Sequence, residues 1–376
     1  MRFPEFTGEW EKCKLSKVCS FFSGGTPPSS NKEYYNGNIP FIRSGELHND
    51  ETELFITKEG LDNSAAKMVE VGDLLLALYG ATSGDIAISK IKGAINQAIL
   101  CIRPKQNKKF VESVWNKHVA RLLQTYLQGG QGNLSADIVK NISFYFTNIE
   151  EQNKLARFIS LLDQRIASQN KIIEKLESLI RGIRNSLLYS DNGTPIRIGD
   201  ILKERVEKTT VNNQHEILSS TVKGIFSQRE YFSKDIASEN NAGYKVIRLH
   251  DVVLSPQNLW MGNINYNDHF EVGIVSPSYK IFTIAEKYDK TFIASMLKTQ
   301  RSLYNYMLVS EQGASIVRRN LNMEAFEQLV FKIPPYEKQC EIGRTMSTLR
   351  TRLAIANATR IAYGQQKQWL LRQMFI

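Results

Sequence analysis

Two stretches of this chain carry an apolar residue at alternating steps of four and three for nearly forty positions. The first runs through Leu155, Ile159, Leu162, Ile166, Gln169, Ile173, Leu176, Ile180, Ile183 and Leu187; nine of the ten are apolar. The second runs through Ile342, Met346, Leu349, Leu353, Ala356, Arg360, Tyr363, Lys367, Leu370 and Met374, eight of them apolar, each displaced from its counterpart in the first by one constant interval. A seam sustained over several heptads predicts coiled-coil helices, each about 58 Å long at 1.5 Å per residue. Ordinary amphipathic helices of roughly 8–20 residues are the competing reading, and length argues against them. Each stretch follows a short strand-like run, a break and Glu-x-Gln: residues 142–152 read ISFYFTNIEEQ and residues 329–339 read LVFKIPPYEKQ. Pro334 and Pro335 end the second run and favour a fresh helix start. Gly182, Gly343 and Gly364 sit inside the helical patterns, at about 1 kcal/mol each relative to alanine. Close helix–helix approach would account for them.

The helices divide the chain into residues 1–149, 150–190, 191–335 and 336–376. The first and third segments mix β-type runs (39–43, 85–91 and 97–103; 244–249 and 279–284) with helical stretches (109–127; 289–308), an α+β reading for each. Their interiors echo one another faintly: Gly72-Asp73-Leu74-Leu75-Leu76 has a counterpart in His250-Asp251-Val252-Val253-Leu254. Cys13–Val18 has one in Ile196–Ile201. The plan is head, rod, head, rod, an internal repeat with pseudo-two-fold character. If the rods pack along their length, the shortest connection makes them antiparallel with a head at each end.

Composition narrows the function. The 376 residues hold 42% hydrophobic and 23% charged side chains, too apolar for a disordered chain. No apolar run approaches the roughly 18 residues of a spanning helix. Glu5, Glu9 and Glu11 interrupt any signal peptide, so a cytoplasmic protein with no membrane partner is expected. Four scattered cysteines without C-x-x-C spacing suggest reduced thiols and no zinc. The net charge of +10 points to a polyanionic partner. Its distribution is uneven: residues 1–149 hold 17 basic and 15 acidic side chains, whereas residues 336–376 hold 7 and 2. Nearly neutral heads must bind nucleic acid through placed side chains and not bulk charge. Most of the surplus on the last helix reads as a solvated face. Arg360 and Lys367 fall on the seam, where polar residues fix register and partner, so they are candidates for partner binding.

Catalytic parts are not evident. There is no Gly-Lys pair for a phosphate-binding loop of the Walker type, and no lysine has an acid two residues before it. Ile333-Pro334-Pro335-Tyr336 resembles the adenine-methyltransferase turn but has isoleucine where a hydrogen-bonding group is needed. Phe22-Ser23-Gly24-Gly25-Thr26 lacks a dinucleotide-loop context. The five histidines are dispersed.

The duplicated plan, with Gly24-Gly25-Thr26-Pro27, Ile39–Arg43, Gly72–Leu75, Gly80–Gly84, Asn96-Gln97-Ala98 and Gly129–Leu134 in the first head, resembles the specificity subunits of type I restriction-modification systems. In the second head the strings are Val272–Tyr279 and Gln312–Ser315. The second head lacks the Gly-Gly-Thr-Pro and Asn-Gln strings, so the two heads should read different sequences. The resemblance implies a non-catalytic subunit with two target-recognition domains, each reading half of a split, asymmetric site in double-stranded DNA. The helices would set the gap and dock two modification (methyltransferase) subunits. Motor–nuclease restriction subunits would complete the assembly. No cofactor is expected on this chain; S-adenosylmethionine, ATP and Mg would sit on the partners. From loop placement and chemistry the candidate DNA contacts are Arg43, Ser44, Tyr79, Thr82, Ser83, Gln131 and Asn133 in the first head. In the second they are Thr221, Lys223, Gln257, Asn258, Trp260, Arg318 and Arg319. Arginine suits guanine and Asn/Gln suit adenine in the major groove. Ordinary loop polarity is the alternative for each. Trp260, Tyr266 and Phe270 are aromatic enough to stack on a base, though core packing is the commoner fate. A self-contained DNA enzyme, a methylation-only specificity protein and a coiled-coil scaffold without DNA are the rivals.

Overall fold

The computed structural model describes residues 2–126, 133–187, 193–231, 240–312 and 319–375. The chain forms two compact units, Met1–Asn170 with Ala358–Ile376 (unit 1) and Lys171–Asn357 (unit 2). Two long helices contribute to both: α1 (Ile149–Leu187) and α2 (Tyr336–Met374). Their starts and their ends are separated by the same interval as the sequence repeat.

Burial follows the heptad. On α1, Leu155, Ile159, Leu162 and Ile180 are buried and the intervening seam positions half-buried, while flanking positions such as Arg157 and Glu174 are exposed. On α2 the same holds for Ile342, Met346, Leu349, Ala356, Leu370 and Met374. In unit 1, Lys367 Nζ meets Asp163 at 2.5 Å and the Arg165 guanidinium lies 6.0 Å from the Tyr363 ring centroid. Position rises along α1 as it falls along α2, so the helices are antiparallel. Arg360 departs from the expected seam: it is exposed, because a hydrated guanidinium on a long stem reaches water in preference to an apolar interface. Of the three helical glycines, Gly343 has a close neighbour, since an added Cβ would lie 2.3 Å from Asp289 Oδ1. That neighbour is the N-cap of a head helix and not the partner helix. Nothing would crowd Gly182 or Gly364.

The helices are also part of the head cores. In unit 1, Leu155, Ile159, Leu162, Leu370, Leu371 and Phe375 share a cluster with Trp10, Phe110 and Trp115. In unit 2, Ile180, Ile342, Met346 and Leu349 join Phe282, Phe292 and Tyr306. Each such side chain, fully buried, contributes roughly 1.5–3 kcal/mol.

The two heads share one framework. In unit 1, Glu11–Lys14 pairs antiparallel with Ser143–Phe146, and Leu15–Val18 makes one helical turn. A four-stranded antiparallel sheet follows in the order Cys19–Ser23, Ile99–Pro104, Leu74–Ala77, Ile86–Ile88. In unit 2, Thr194–Arg197 pairs with Val330–Ile333, Ile198–Ile201 turns, and the sheet runs Leu202–Glu204, Lys280–Ile284, Val252–Leu254, Ile264–Tyr266. Outside this frame the heads diverge. Unit 1 adds a mixed sheet ordered Phe55–Ile56, Tyr35–Ile42, Gly93–Ile95, Lys67–Val69. Unit 2 adds separate two-stranded pairs, including the hairpin Leu218–Thr221 with Gly224–Ser227. The helical pattern over 289–308 is realised as two helices, Lys290–Met296 and Gln300–Leu308, because the Thr299 hydroxyl accepts from Ser302 N–H and starts a new one.

The Glu-x-Gln motif has a structural cause. The Gln152 side chain is fully buried; its amide donates to Thr147 C=O (2.7 Å) and its oxygen accepts from Asn107 N–H (3.2 Å). Gln339 donates to Pro334 C=O (2.9 Å) and accepts from Asp289 N–H (3.0 Å). Asn107 and Asp289 each cap a head helix, by accepting from Phe110 N–H (3.0 Å) and Phe292 N–H (2.7 Å). One glutamine thus ties a long helix, the strand before it and the capping residue of a head helix, once per unit.

The echoed Gly72-Asp73 and His250-Asp251 are a second shared device. Gly72 and His250 both adopt positive φ (+90° and +76°). The Asp73 carboxylate accepts from Glu70 N–H (3.0 Å), and Asp251 accepts from Arg248 N–H (2.6 Å). Each acid also takes an arginine, Arg103 on Asp73 and Arg205 on Asp251.

Candidate nucleic-acid interface

In unit 1 the predicted residues gather on linked loops. Between Ala77 and Asp85 the chain folds into a tight loop: Gly84 N–H donates to Ala77 C=O (2.9 Å), Asp85 N–H to Thr82 C=O (2.9 Å) and the Ser83 hydroxyl to Leu78 C=O (2.9 Å). Ser83 is therefore committed to the loop, and Tyr79 is half-buried against the main core. Leu134 N–H donates to Leu78 C=O (2.7 Å), which brings the exposed Asn133 beside the same loop. Leu78 N–H donates in turn to Ala98 C=O (2.8 Å). The Thr26 hydroxyl donates to Gln97 Oε1 (2.5 Å), so the Gly-Gly-Thr-Pro and Asn-Gln-Ala strings meet. Glycine is needed at 24 because a Cβ there would fall 1.8 Å from Ile95 carbonyl oxygen. Gln131 lies outside the described residues.

Arg43 and Ser44 open the adjacent segment, which joins the loop through His48 Nε2 and Asp85 (2.9 Å) and through Lys90 to Asp50 (2.6 Å). Sequence reasoning missed His48 and Lys90; their partners, Asp85 and Asp50, are far off along the chain, so no local pattern marks them. Arg43 is less free than its charge suggested. Its guanidinium reaches Glu46 (2.8 Å) and Glu53 (2.9 Å), and these acids hold its proton more tightly than usual. Burial opposes ionisation of Glu46. Hydrogen bonds from the Arg43 side chain and N–H, the Thr52 hydroxyl and Glu53 N–H outweigh it and hold the carboxyl at about 2. A depressed carboxyl contributes stability above its ordinary pKa and loses it as pH falls toward the folded value. Glu46→Gln should therefore cost about 2 kcal/mol at pH 7 and progressively less between pH 5 and pH 2, read by urea denaturation.

In unit 2 the predicted residues again converge. Thr221 and Lys223 form the hairpin turn, where the Thr221 hydroxyl donates to Gly224 C=O (3.2 Å) and Lys223 is exposed. The turn is anchored by Asn265, which donates to Thr221 C=O (2.8 Å) and to Ser220 Oγ (2.8 Å). Gln257 accepts Arg319 N–H on its carbonyl (3.2 Å). Asn258 precedes a short helical turn, and the Arg319 guanidinium covers the Trp260 ring at 5.2 Å. Trp260 Nε1 and Arg319 Nε are buried with no hydrogen-bond partner among the described residues. Arg318 lies outside those residues. Tyr266 stacks on His250 (5.7 Å, 15°), and burial pushes its hydroxyl up to about 12. Phe270 leans on the second core of the unit. Both rings are half-buried, and Tyr266 lines a cavity of the unit. Lys367 is held by Asp163, so of the two partner-binding candidates Arg360 is the exposed one.

All four cysteines are free thiols, and among the described residues no cluster could hold a metal and no helix is long and apolar enough to cross a membrane.

Residues 7–178 match the family model for the type I restriction modification DNA specificity domain. The type I restriction enzyme MjaIX specificity subunit of Methanocaldococcus jannaschii is 26% identical over 274 residues, 65% of this chain and 62% of that protein. The HindI specificity subunit of Haemophilus influenzae is 26% identical over 48% of this chain and 38% of its own length. These alignments span less than two thirds of either relative. The crystal structure of the type I restriction-modification S subunit from M. genitalium superposes with a TM-score of 0.63 at 13% identity, covering 98% of this chain and 96% of that one. Residues 7–178 are thus a type I DNA specificity domain on a chain with the S-subunit fold throughout. The match to the specificity-domain model covers a little under half of the chain, and the likeness of the remainder to S subunits is one of fold.

Proposed function

We propose that this chain performs no catalysis and supplies sequence recognition to a type I complex, each head reading one half of a split, asymmetric site in double-stranded DNA. The observation that carries this reading is the duplicated frame. Two heads with the same strand order, glutamine clamp and Gly/His-Asp turn differ in the loops that hold Arg43–Asn133 and Thr221–Arg319. A constant frame with different loops is what reading two different words requires. Two modest half-site contacts on one chain then combine through effective concentration.

The antiparallel helices are the spacer in this reading and the dock for two methyltransferase subunits, with the motor–nuclease subunits joining through them. Support comes from large apolar side chains that the seam leaves exposed: Leu161, Ile361 and Trp369 in unit 1, and Ile172, Leu179 and Ile355 in unit 2. Exposed tryptophan on a rigid helix is the residue type that dominates interfaces. S-adenosylmethionine, ATP and Mg2+ belong to the partners, with the methylated adenine flipped into the methyltransferase. Footprinting with the methyltransferase present tests the proposal: two protected tracts separated by an unprotected gap are expected. Trp369→Asp, which leaves the heads untouched, should weaken methyltransferase binding about 30-fold or more and remove the partner-dependent protection. A single continuous tract, or none with the partner bound, would contradict it.

A further inference from the structure

Beneath the hairpin turn of unit 2 lies a cavity of about 320 Å3 lined by Arg184 from α1, Arg350 from α2, and Lys223, Asn265, Asp268 and Lys298 from the head. Three of these four cations, Arg184, Lys298 and Arg350, are half-buried; the hydrogen-bond partners of Lys298 and Arg350 are neutral, and Asp268 is the counter-charge felt by Arg350. Lys298 donates to Asn265 Oδ1 (2.5 Å) and to Val222 C=O (3.2 Å). Arg350 donates to Ser295 Oγ (3.1 Å). Arg184 Nε is buried with no hydrogen-bond partner among the described residues. Among the described residues Asp268 is the only acid lining the cavity, and it is 61% exposed and paired with His269. Burial, then Arg184 and Arg350, push the Lys298 ammonium down to about 8, and burial also lowers both arginines. Gathering like charges out of water is costly unless a counter-charge arrives. A planar fork of N–H donors beside an ammonium suits a tetrahedral oxyanion.

We propose that this cavity binds a phosphate group, held by Arg184, Lys298 and Arg350. The inference goes beyond sequence reading and stands whether or not unit 2 contacts bases. Its volume admits inorganic phosphate or a small phosphate ester. The phosphate has two sources, a free phosphorylated compound or a DNA backbone phosphate entering past Lys223.

The test titrates inorganic phosphate into the intact chain, with sodium chloride balancing ionic strength, and follows thermal unfolding and 31P line width. At a tenfold excess over Kd the unfolding temperature should rise by about 2–4 °C, and chloride should not reproduce it. Lys298→Met and Arg350→Gln should each raise the unfolding temperature without phosphate, by relieving repulsion, and weaken phosphate binding at least tenfold. If either variant fails to fold, the other decides. A short duplex that restores the narrow 31P line shows that the backbone fills the site; a line left broad shows a free compound as the ligand. Equal stabilisation by chloride, no 31P broadening, or variants with unchanged phosphate affinity would overturn the proposal.

Discussion

Replacing Gln152 by leucine should destabilise unit 1 by about 2–5 kcal/mol. The buried amide satisfies two backbone groups at once, Thr147 C=O and Asn107 N–H, and leucine can satisfy neither. An unsatisfied buried group costs about 1–3 kcal/mol, and the volume of the two side chains is similar, so cavity formation adds little. Gln339→Leu should do the same in unit 2, through Pro334 C=O and Asp289 N–H. The effects should be local: calorimetry should show one transition moved and the other nearly unchanged in each variant. Equal small losses from both, below about 0.5 kcal/mol, would mean that the clamp is incidental.

Removing Asp251 should cost about 3–5 kcal/mol, more than removing Asp73, although both acids occupy the same turn. The difference lies in the arginines. Arg103 is 44% exposed and can hydrate once Asp73 is gone. Arg205 is 23% exposed, and its Nε is buried without a partner among the described residues even in the intact protein. Losing Asp251 leaves the Arg248 N–H without its acceptor and leaves Arg205, the more buried of the two arginines, with Glu207 (2.8 Å) as its remaining carboxylate. The double variant Asp251→Ala with Arg205→Met should recover part of the loss, because a buried pair replaced as a whole no longer leaves an orphan. Chemical denaturation of the two single variants and the double measures this. A larger loss from Asp73→Ala would show that exposure of the arginine is not the controlling factor.

The long helices were legible in the sequence because their pattern is local: a residue every three or four positions announces its face regardless of what covers it. The same period revealed the repeat, and the two helices start and end at matching positions of it, Ile149 with Tyr336 and Leu187 with Met374. The heads were harder. Their sheet strands are three to six residues long and their pairing is distant, as between Cys19–Ser23 and Ile99–Pro104. Short runs of that kind carry no register. Still, the Gly72-Asp73 and His250-Asp251 echo marked a turn that takes positive φ in both heads. Among candidate site residues, Arg43 was chosen for its charge. Glu46, three residues on, already claims that charge at a spacing visible in the chain. Arg350 read as part of a solvated helix face, and only the fold sets it beside Arg184 and Lys298 in a cavity. Residues brought together from three elements leave no trace in any one of them.

The proposal depends most on the two heads being independent readers on a common frame. The direct measurement is to exchange the first head, residues 1–149, for that of another specificity subunit, and to map methylated adenines in cells that also carry the methyltransferase. One half of the methylated site should change while the other half and the gap stay fixed. A change in both halves, or a gap that shifts with the head and not with the helices, would contradict the account.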